Sequence, residues 1–194
     1  TAVAQQAEGD AQETHYTPKL AHDRRPWDRA SFYAQMTEGY RPGGINIEEG
    51  SPDRVGDDYR TARFRTDELW NYEIGAKLAL WDQRLWLDAA IFRAQWRNIQ
   101  TDQLDATGLI HTANAGDGVN TGIEIGPRLR LGGWRLEATL TLNDPELTHI
   151  DADFPASADG GLPGTAHVSG AAALSWQGQV ADGVGMMVAL DYTH

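Results

Sequence analysis

The chain has 194 residues, a formal net charge of -12 and no cysteine. This acidic balance argues against a nucleic-acid partner, because phosphate binding needs clustered Lys and Arg. The lack of cysteine excludes a disulfide scaffold and a thiolate metal site. No run approaches the ~18 apolar residues of a transmembrane helix, but a transmembrane β-strand needs only about 9–11 residues, half of which can be polar.

Apolar and polar residues alternate with a period of two along most of the chain, most clearly from Trp134 to Asn143. The alternation predicts an all-β chain whose strands each have one apolar and one polar face. In chain order, eight strands are predicted at about 14–22, 30–40, 69–81, 84–101, 118–131, 133–143, 165–177 and 183–193. In the fourth strand, apolar residues occupy both sets of alternating positions. A β-bulge near Ala89 or Ala90, or burial of both faces of the strand, would explain this pattern.

The links between these strands alternate between short and long. Short links lie at 23–28, 82–84, 132–133 and 178–183, and long links at 41–68, 101–117 and 144–164. In an antiparallel up-and-down sheet, this order places every short turn at one end and every long loop at the other. Outer-membrane barrels sort their loops in this way, whereas a Greek-key sandwich has no reason to do so. The predicted fold is therefore a transmembrane β-barrel.

Aromatic residues gather at both ends of the predicted strands. Near the short turns lie Trp81, Trp86, Trp134 and Trp176, and at the far ends lie Tyr33, Tyr40, Trp70, Tyr72 and Trp96. Membrane interfaces favour such bands, since amphipathic rings are stable at headgroup depth. The alternative is that they are ordinary core and hairpin aromatics, which strands also favour.

Three segments resemble the barrels of TonB-dependent outer-membrane receptors. YAQMTEGYRPGGIN (33–46) is similar to a barrel strand and its outer loop. The strongest similarity is TDELWNYEIGAKLALWDQRLWLDAAIFRAQWRNIQ (66–100), which carries Glu68 and the Tyr-Glu-x-Gly-x-Lys pattern of residues 72–77. NAGDGVNTGIEI (114–125) resembles the family's Asn-Ala-Gly…Gly-x-Glu strand. The resemblance extends over about residues 16–192.

This resemblance implies a large plugged barrel of about 22 strands, of which this chain offers about eight. Residues 1–194 are therefore expected to be a fragment of the C-terminal barrel, with the plug domain and the TonB box absent from it. The implied function is energy-coupled uptake of a scarce ligand, most often a ferric siderophore. The implied partners are that ligand, the TonB complex acting through the missing plug region, and outer-membrane lipid and lipopolysaccharide. No cofactor is implied.

Two groups of residues are candidates for the function of such a barrel. The residues expected to face the lumen are Glu73, Lys77, Glu124, Arg128, Arg135 and Glu137. The outer-loop residues expected to contact the ligand are Tyr40, Arg41, Tyr59, Arg60, Arg63 and Arg65. Guanidinium and aromatic groups suit an anionic, aromatic iron chelate. The same cluster could instead bind lipopolysaccharide phosphates or pair with Asp57 and Asp58.

No metal or catalytic site is predicted. The acidic residues of the 144–159 loop do not have the spacing of a calcium-binding loop, and the six histidines show no metal-ligand spacing. Two other functions stay open. Ser169 and His167 share a face, as a small barrel enzyme acting on lipid would require, and a soluble β-barrel or sandwich that binds carbohydrate would also show alternating strands.

Overall fold

The computed structural model describes residues 14–47, 61–104, 110–151, 154, 161–162 and 164–194. In these ranges the chain forms twelve strands: β1 (Lys19–Trp27), β2 (Ala30–Arg41), β3 (Gly44–Ile47), β4 (Thr61–Phe64), β5 (Asp67–Leu80), β6 (Leu85–Arg97), β7 (Gln100–Leu104), β8 (Ile110–Asn114), β9 (Gly116–Leu131), β10 (Trp134–Ile150), β11 (Val168–Ala181) and β12 (Val184–Thr193).

Eight of these strands form one sheet in the order β1-β2-β5-β6-β9-β10-β11-β12, and every neighbouring pair is antiparallel. The predicted eight-stranded, up-and-down arrangement is confirmed. The short turns lie at 28–29, 81–84, 132–133 and 182–183. The long connections leave from the opposite end, where β3 pairs with β4 and β7 pairs with β8 as two separate hairpins.

Register across the sheet separates two faces of different chemistry. On one face a continuous row of paired positions crosses seven strands: Asp23, Tyr33, Gly75, Ala90, Glu124, Thr141 and Ser169. The adjacent row, on the other face, is His22, Ala34, Ile74, Ile91, Ile123, Leu142 and Val168. We call these the polar face and the apolar face. The side chains of Ile74 and Ile91 are 61% and 56% exposed, so the apolar face is uncovered.

Two strands extend through residues that were predicted to be links. β1 ends at Trp27 although it contains Pro26, and β10 continues to Ile150 through Pro145. Proline cannot donate a ladder hydrogen bond and is tolerated where a strand is paired on one side only. β1 pairs only with β2 here, and beyond Leu142 β10 pairs with β9 but no longer with β11. Both prolines therefore lie at local edges.

The predicted β-bulge near Ala89 or Ala90 is wrong. The register of β6 runs without a shift against both β5 and β9. The two apolar phases arise because Ala89 and Ile91 lie on the apolar face while Ala90 and Phe92 lie on the polar face, so the strand is apolar on both sides.

The two aromatic bands exist on the apolar face, with different membership from the prediction. Trp70 and Tyr72 stack at the long-loop end, with ring centroids 6.3 Å apart. Trp134 and Trp176 contact each other at the short-turn end, at 6.5 Å. Tyr33, in contrast, lies near the short-turn end of β2 and on the polar face. Trp86 and Trp96 also lie on the polar face, because β6 places its even-numbered residues there.

The best-buried apolar cluster in the described ranges lies at the long-loop end. Ile99, Ala115 and Leu162 are buried, and three half-buried side chains pack against them: Trp96, Leu147 and Phe154. These residues come from two of the long connections, β6–β9 and β10–β11, or from the strands beside them, so these two loops begin as one packed layer. No helix in the described part of the chain is long and apolar enough to cross a membrane.

Candidate functional site

A buried carboxylate organises the polar face at the long-loop end. Asp67, the first residue of β5, is only 2% exposed. Its Oδ2 accepts hydrogen bonds from Arg41 Nε at 2.9 Å and from the backbone N–H of Gln100 at 3.0 Å, and Arg41 Nη2 donates to it as well. The indole N–H of Trp96 donates to Oδ1. We call Arg41, Asp67, Trp96 and Gln100 the rim cluster.

The rim cluster joins the first two long connections. Arg41 Nη2 donates to the carbonyl of Gln100 at 2.8 Å, and the guanidinium lies 5.7 Å from the centre of the Trp96 ring. In return, the side-chain amide of Gln100 donates to the carbonyls of Pro42 and Arg65, each at 3.0 Å. A charge buried with this many partners is stable, whereas an unpaired one would be strongly disfavoured.

Asn114, which belongs to one of the family-like motifs, adds a second tie between the same connections. Its Oδ1 accepts from the backbone N–H of Arg65 at 2.7 Å, and its Nδ2 donates to the carbonyls of Arg65 and Asn98. The next two motif residues also have structural roles: Ala115 is fully buried, and Gly116 has φ +130°, a conformation that L side chains rarely adopt.

Two further contacts extend the layer. Asn46 and Thr112 exchange hydrogen bonds, with Asn46 Nδ2 donating to the Thr112 carbonyl at 2.6 Å and the Thr112 N–H donating to Asn46 Oδ1 at 3.0 Å. Arg65 Nη2 pairs with Asp151 Oδ2 at 2.5 Å. The described parts of all three long connections are therefore tied together at their bases.

The structure brings only some of the predicted ligand residues together. Arg41 and Tyr40 lie on opposite faces of β2: Arg41 bonds to Asp67, and Tyr40 stacks on His15 with ring centroids 4.4 Å apart. Arg65 is paired with Asp151, although its side chain stays 60% exposed. Arg63 is exposed on β4 and has no ion pair among the described residues. Tyr59 and Arg60 lie outside the described residues.

All six residues predicted to face a lumen lie on the polar face. Glu73 accepts a hydrogen bond from the Tyr33 hydroxyl at 2.5 Å. Arg128 pairs with Asp88 at 2.9 Å, and Arg135 pairs with Glu137 at 2.6 Å. The remaining two predicted residues are Lys77, the register partner of Asp88, and Glu124, the register partner of Ala90. The polar face therefore carries mixed, mutually neutralising charges.

The rim cluster shows where sequence reasoning was incomplete. Arg41 was predicted as a residue of the functional site, whereas Asp67, Trp96 and Gln100 were not. Each of these three comes from a different position along the chain, and no local pattern marks Asp67 as buried. Ser169 and His167 give no support to catalysis: the His167 ring contacts the Asn143 carbonyl at 3.3 Å, and no hydrogen bond joins it to Ser169 in the described part of the chain.

Four features define this sheet as the wall of a transmembrane β-barrel. Its strands are sequential and antiparallel, one apolar face is uncovered, aromatic bands lie at both ends, and all long loops lie on one side. The family described as TonB dependent receptor-like, beta-barrel matches residues 2–194. The chain belongs to the β-barrel family of TonB-dependent receptors, as its motifs indicated. No curated protein matches it in sequence.

Solved structures share this fold. The ferric yersiniabactin uptake receptor FyuA from Yersinia pestis superposes with a TM-score of 0.69 at 19% identity, over 90% of this chain and 25% of that one. The FrpB iron transporter from Neisseria meningitidis superposes with a TM-score of 0.58 at 20% identity, over 84% of this chain and 24% of that one. The ferric-catecholate import receptor Fiu from E. coli K12 superposes with a TM-score of 0.58 at 21% identity, over 84% of this chain and 22% of that one. The chain spans about a quarter of the length of these neighbours.

Proposed function

We propose that this chain forms one wall of a larger outer-membrane receptor that takes up a scarce ligand, with a ferric siderophore as the leading candidate. The observation that carries the proposal is the eight-stranded sheet whose long loops share one tied layer. Both outer strands of that sheet, β1 and β12, pair on one side only, and every residue of these two strands is exposed. Open edges of this kind need further strands before a bilayer can accommodate them.

In this proposal the polar face lines the lumen and contacts a plug domain supplied by the rest of the receptor. The pairs Arg128–Asp88 and Arg135–Glu137 leave the face hydrated and close to neutral. A plug can then slide or rearrange against it without burying uncompensated charge, which would be costly. The TonB complex acts through the plug, and the apolar face contacts outer-membrane lipid, with lipopolysaccharide at the long-loop end.

The ligand would bind at the loop layer. Arg63 offers an exposed guanidinium there, and Arg65 offers one that is only partly neutralised by Asp151. These groups attract an anionic chelate. Arg41 contributes indirectly, because its bonds to Asp67 and Gln100 hold the loop bases in place.

The test is uptake by cells that depend on the intact receptor. A strain lacking the gene should lose growth on its ligand under iron limitation, regain it with the wild-type gene, and lose uptake of the labelled chelate when a protonophore collapses the membrane energy. A panel of siderophores, haem, cobalamin and glycans identifies the ligand class. Uptake that survives the gene deletion or the protonophore for every member of the panel would contradict the proposal.

A further inference from the structure

A cluster of potential metal ligands lies on the apolar face at the long-loop end, away from the rim cluster and the polar face. His15, Glu38 and Glu68 each present one ligand atom, and these atoms all lie within 4.8 Å of one another. The side chains of Glu38 and His15 are only 7% and 18% exposed. Two carboxylates held this close, one of them nearly buried, repel each other, and a cation between them removes that repulsion.

The fold itself brings the three residues together. Tyr40 is the register partner of Glu68 and Glu38 that of Trp70, so Glu38 and Glu68 are diagonal neighbours on the same face of β2 and β5. His15 lies in the segment before β1, which is fixed to β2 by a hydrogen bond from the Glu38 N–H to the Pro18 carbonyl at 3.0 Å. This contact holds the imidazole over the two carboxylates.

The orientation of the imidazole is also determined. Its ring stacks on Tyr40, with centroids 4.4 Å apart and an angle of 29° between the planes. Its Nε2 lies 3.1 Å from Glu38 Oε1. Glu68 is the register partner of Arg97 on β6, but no ion pair or hydrogen bond joins Glu68 to another residue in the described ranges, so its carboxylate oxygens remain available to a metal ion.

We propose that His15, Glu38 and Glu68 form a binding site for a divalent transition-metal ion, with Zn²⁺ as the best fit. Zn²⁺ takes imidazole nitrogen and carboxylate oxygen at about 2.0–2.2 Å, which places tetrahedral ligand atoms about 3.3–3.6 Å apart. Small side-chain rotations that move the ligand atoms by about 1 Å each bring the three atoms from within 4.8 Å to that spacing. Mg²⁺ and Ca²⁺ fit less well, because they prefer six or more oxygen ligands.

The three protein ligands fill three of the four tetrahedral positions of Zn²⁺. The fourth position is open to water. The histidine spacing in the sequence did not reveal the site because its three ligands come from three separate segments, each contributing one.

The site can be tested by titrating the intact receptor, purified in detergent and stripped with a chelator, with Zn²⁺ in a calorimeter. We expect saturable binding of one Zn²⁺ per chain at this site, and a loss of at least about tenfold in affinity in each of His15→Gln, Glu38→Gln and Glu68→Gln. His22→Gln is the matched control, because His22 is exposed on β1 and outside the cluster. It should bind as the wild type does.

His15→Gln changes a residue outside the sheet, so it keeps the measurement interpretable even where a β-strand variant fails to fold. Substitution with Co²⁺ adds a spectroscopic readout: visible absorption bands of a nitrogen- and oxygen-ligated ion should appear in the wild type and disappear in His15→Gln. Zn²⁺ affinity that is unchanged in all three ligand variants, or no saturable binding by the wild type, would overturn the proposal. Neither result bears on ligand uptake, which is assayed separately.

Discussion

The phenol ring of Tyr33 lies over Gly75, its register partner on the polar face, and occupies the space that a side chain at position 75 would need. The hydroxyl at the end of the same ring donates to Glu73. Phe92 covers Gly122, its own register partner, in the same way. Both glycines belong to motifs that resemble the receptor family, and both leave space for a cross-strand aromatic ring.

Gly75→Val should therefore destabilise the barrel by about 1–3 kcal/mol, because the new side chain overlaps the Tyr33 ring and displaces it. Thermal unfolding of the intact protein in detergent, followed by circular dichroism, measures the loss. Gly39→Val is the control, since a Cβ at position 39 meets no atom within 4 Å. Equal melting temperatures for the two variants would contradict the assignment.

Asp67→Asn should loosen the loop layer without unfolding the sheet. The amide keeps the size of the carboxylate but removes its charge and one of its acceptor atoms, so a buried donor among Arg41, Trp96 and Gln100 loses its partner, at a cost of about 1–3 kcal/mol. Hydrogen exchange should become faster at residues 98–104 and 110–116 while the centre of β9 stays protected. If exchange in those loop segments is unchanged, Asp67 does not organise the rim.

Arg65→Ala should have little effect on stability, because an ion pair with one largely exposed partner contributes about 0–1 kcal/mol. Its effect on ligand capture should be larger, and stronger still in the variant that combines it with Arg63→Ala, since the two arginines proposed to attract the ligand are then lost. Binding of the ferric chelate at low and high salt measures this. An affinity that equals the wild type at low salt would remove both arginines from the ligand site.

Ile91→Lys should impair assembly in the membrane, since a lysine on the lipid side of a barrel costs about 2–4 kcal/mol near the midplane. Ala94→Lys, on the polar face of the same strand, is the matched control and should be tolerated. Heat-modifiable migration of the outer-membrane fraction on gels reports the folded yield of each. Similar yields for the two variants would mean that the apolar face does not meet lipid.

The order and direction of the eight main strands could be predicted from the sequence because their signals are local. Alternation with a period of two marks each strand, and the lengths of the links decide which ends lie together. The limits of β1 and β10 could not be predicted in this way. Pro26 and Pro145 are tolerated inside these strands because each lies where its strand is paired on one side only. Which side is paired depends on segments that are distant in the chain.

The chemistry of the sites shows the same division. Alternation alone was enough to place six residues on one side of the sheet: Glu73, Lys77, Glu124, Arg128, Arg135 and Glu137. The partners of Arg41 and Arg65 did not, since Asp67 and Asp151 are separated from them by many residues of chain. The same holds for His15, Glu38 and Glu68, which only strand register brings together.

By itself, then, the amino-acid sequence determined the strand order, the two faces and the family, because each of these depends on neighbouring residues or on short motifs. Only the tertiary structure decided which carboxylate is buried, which aromatic ring covers which glycine and which side chains could share a metal ion. These features require two or more strands to meet in one register, and a hydrogen-bonded ladder between distant segments is what sets that register.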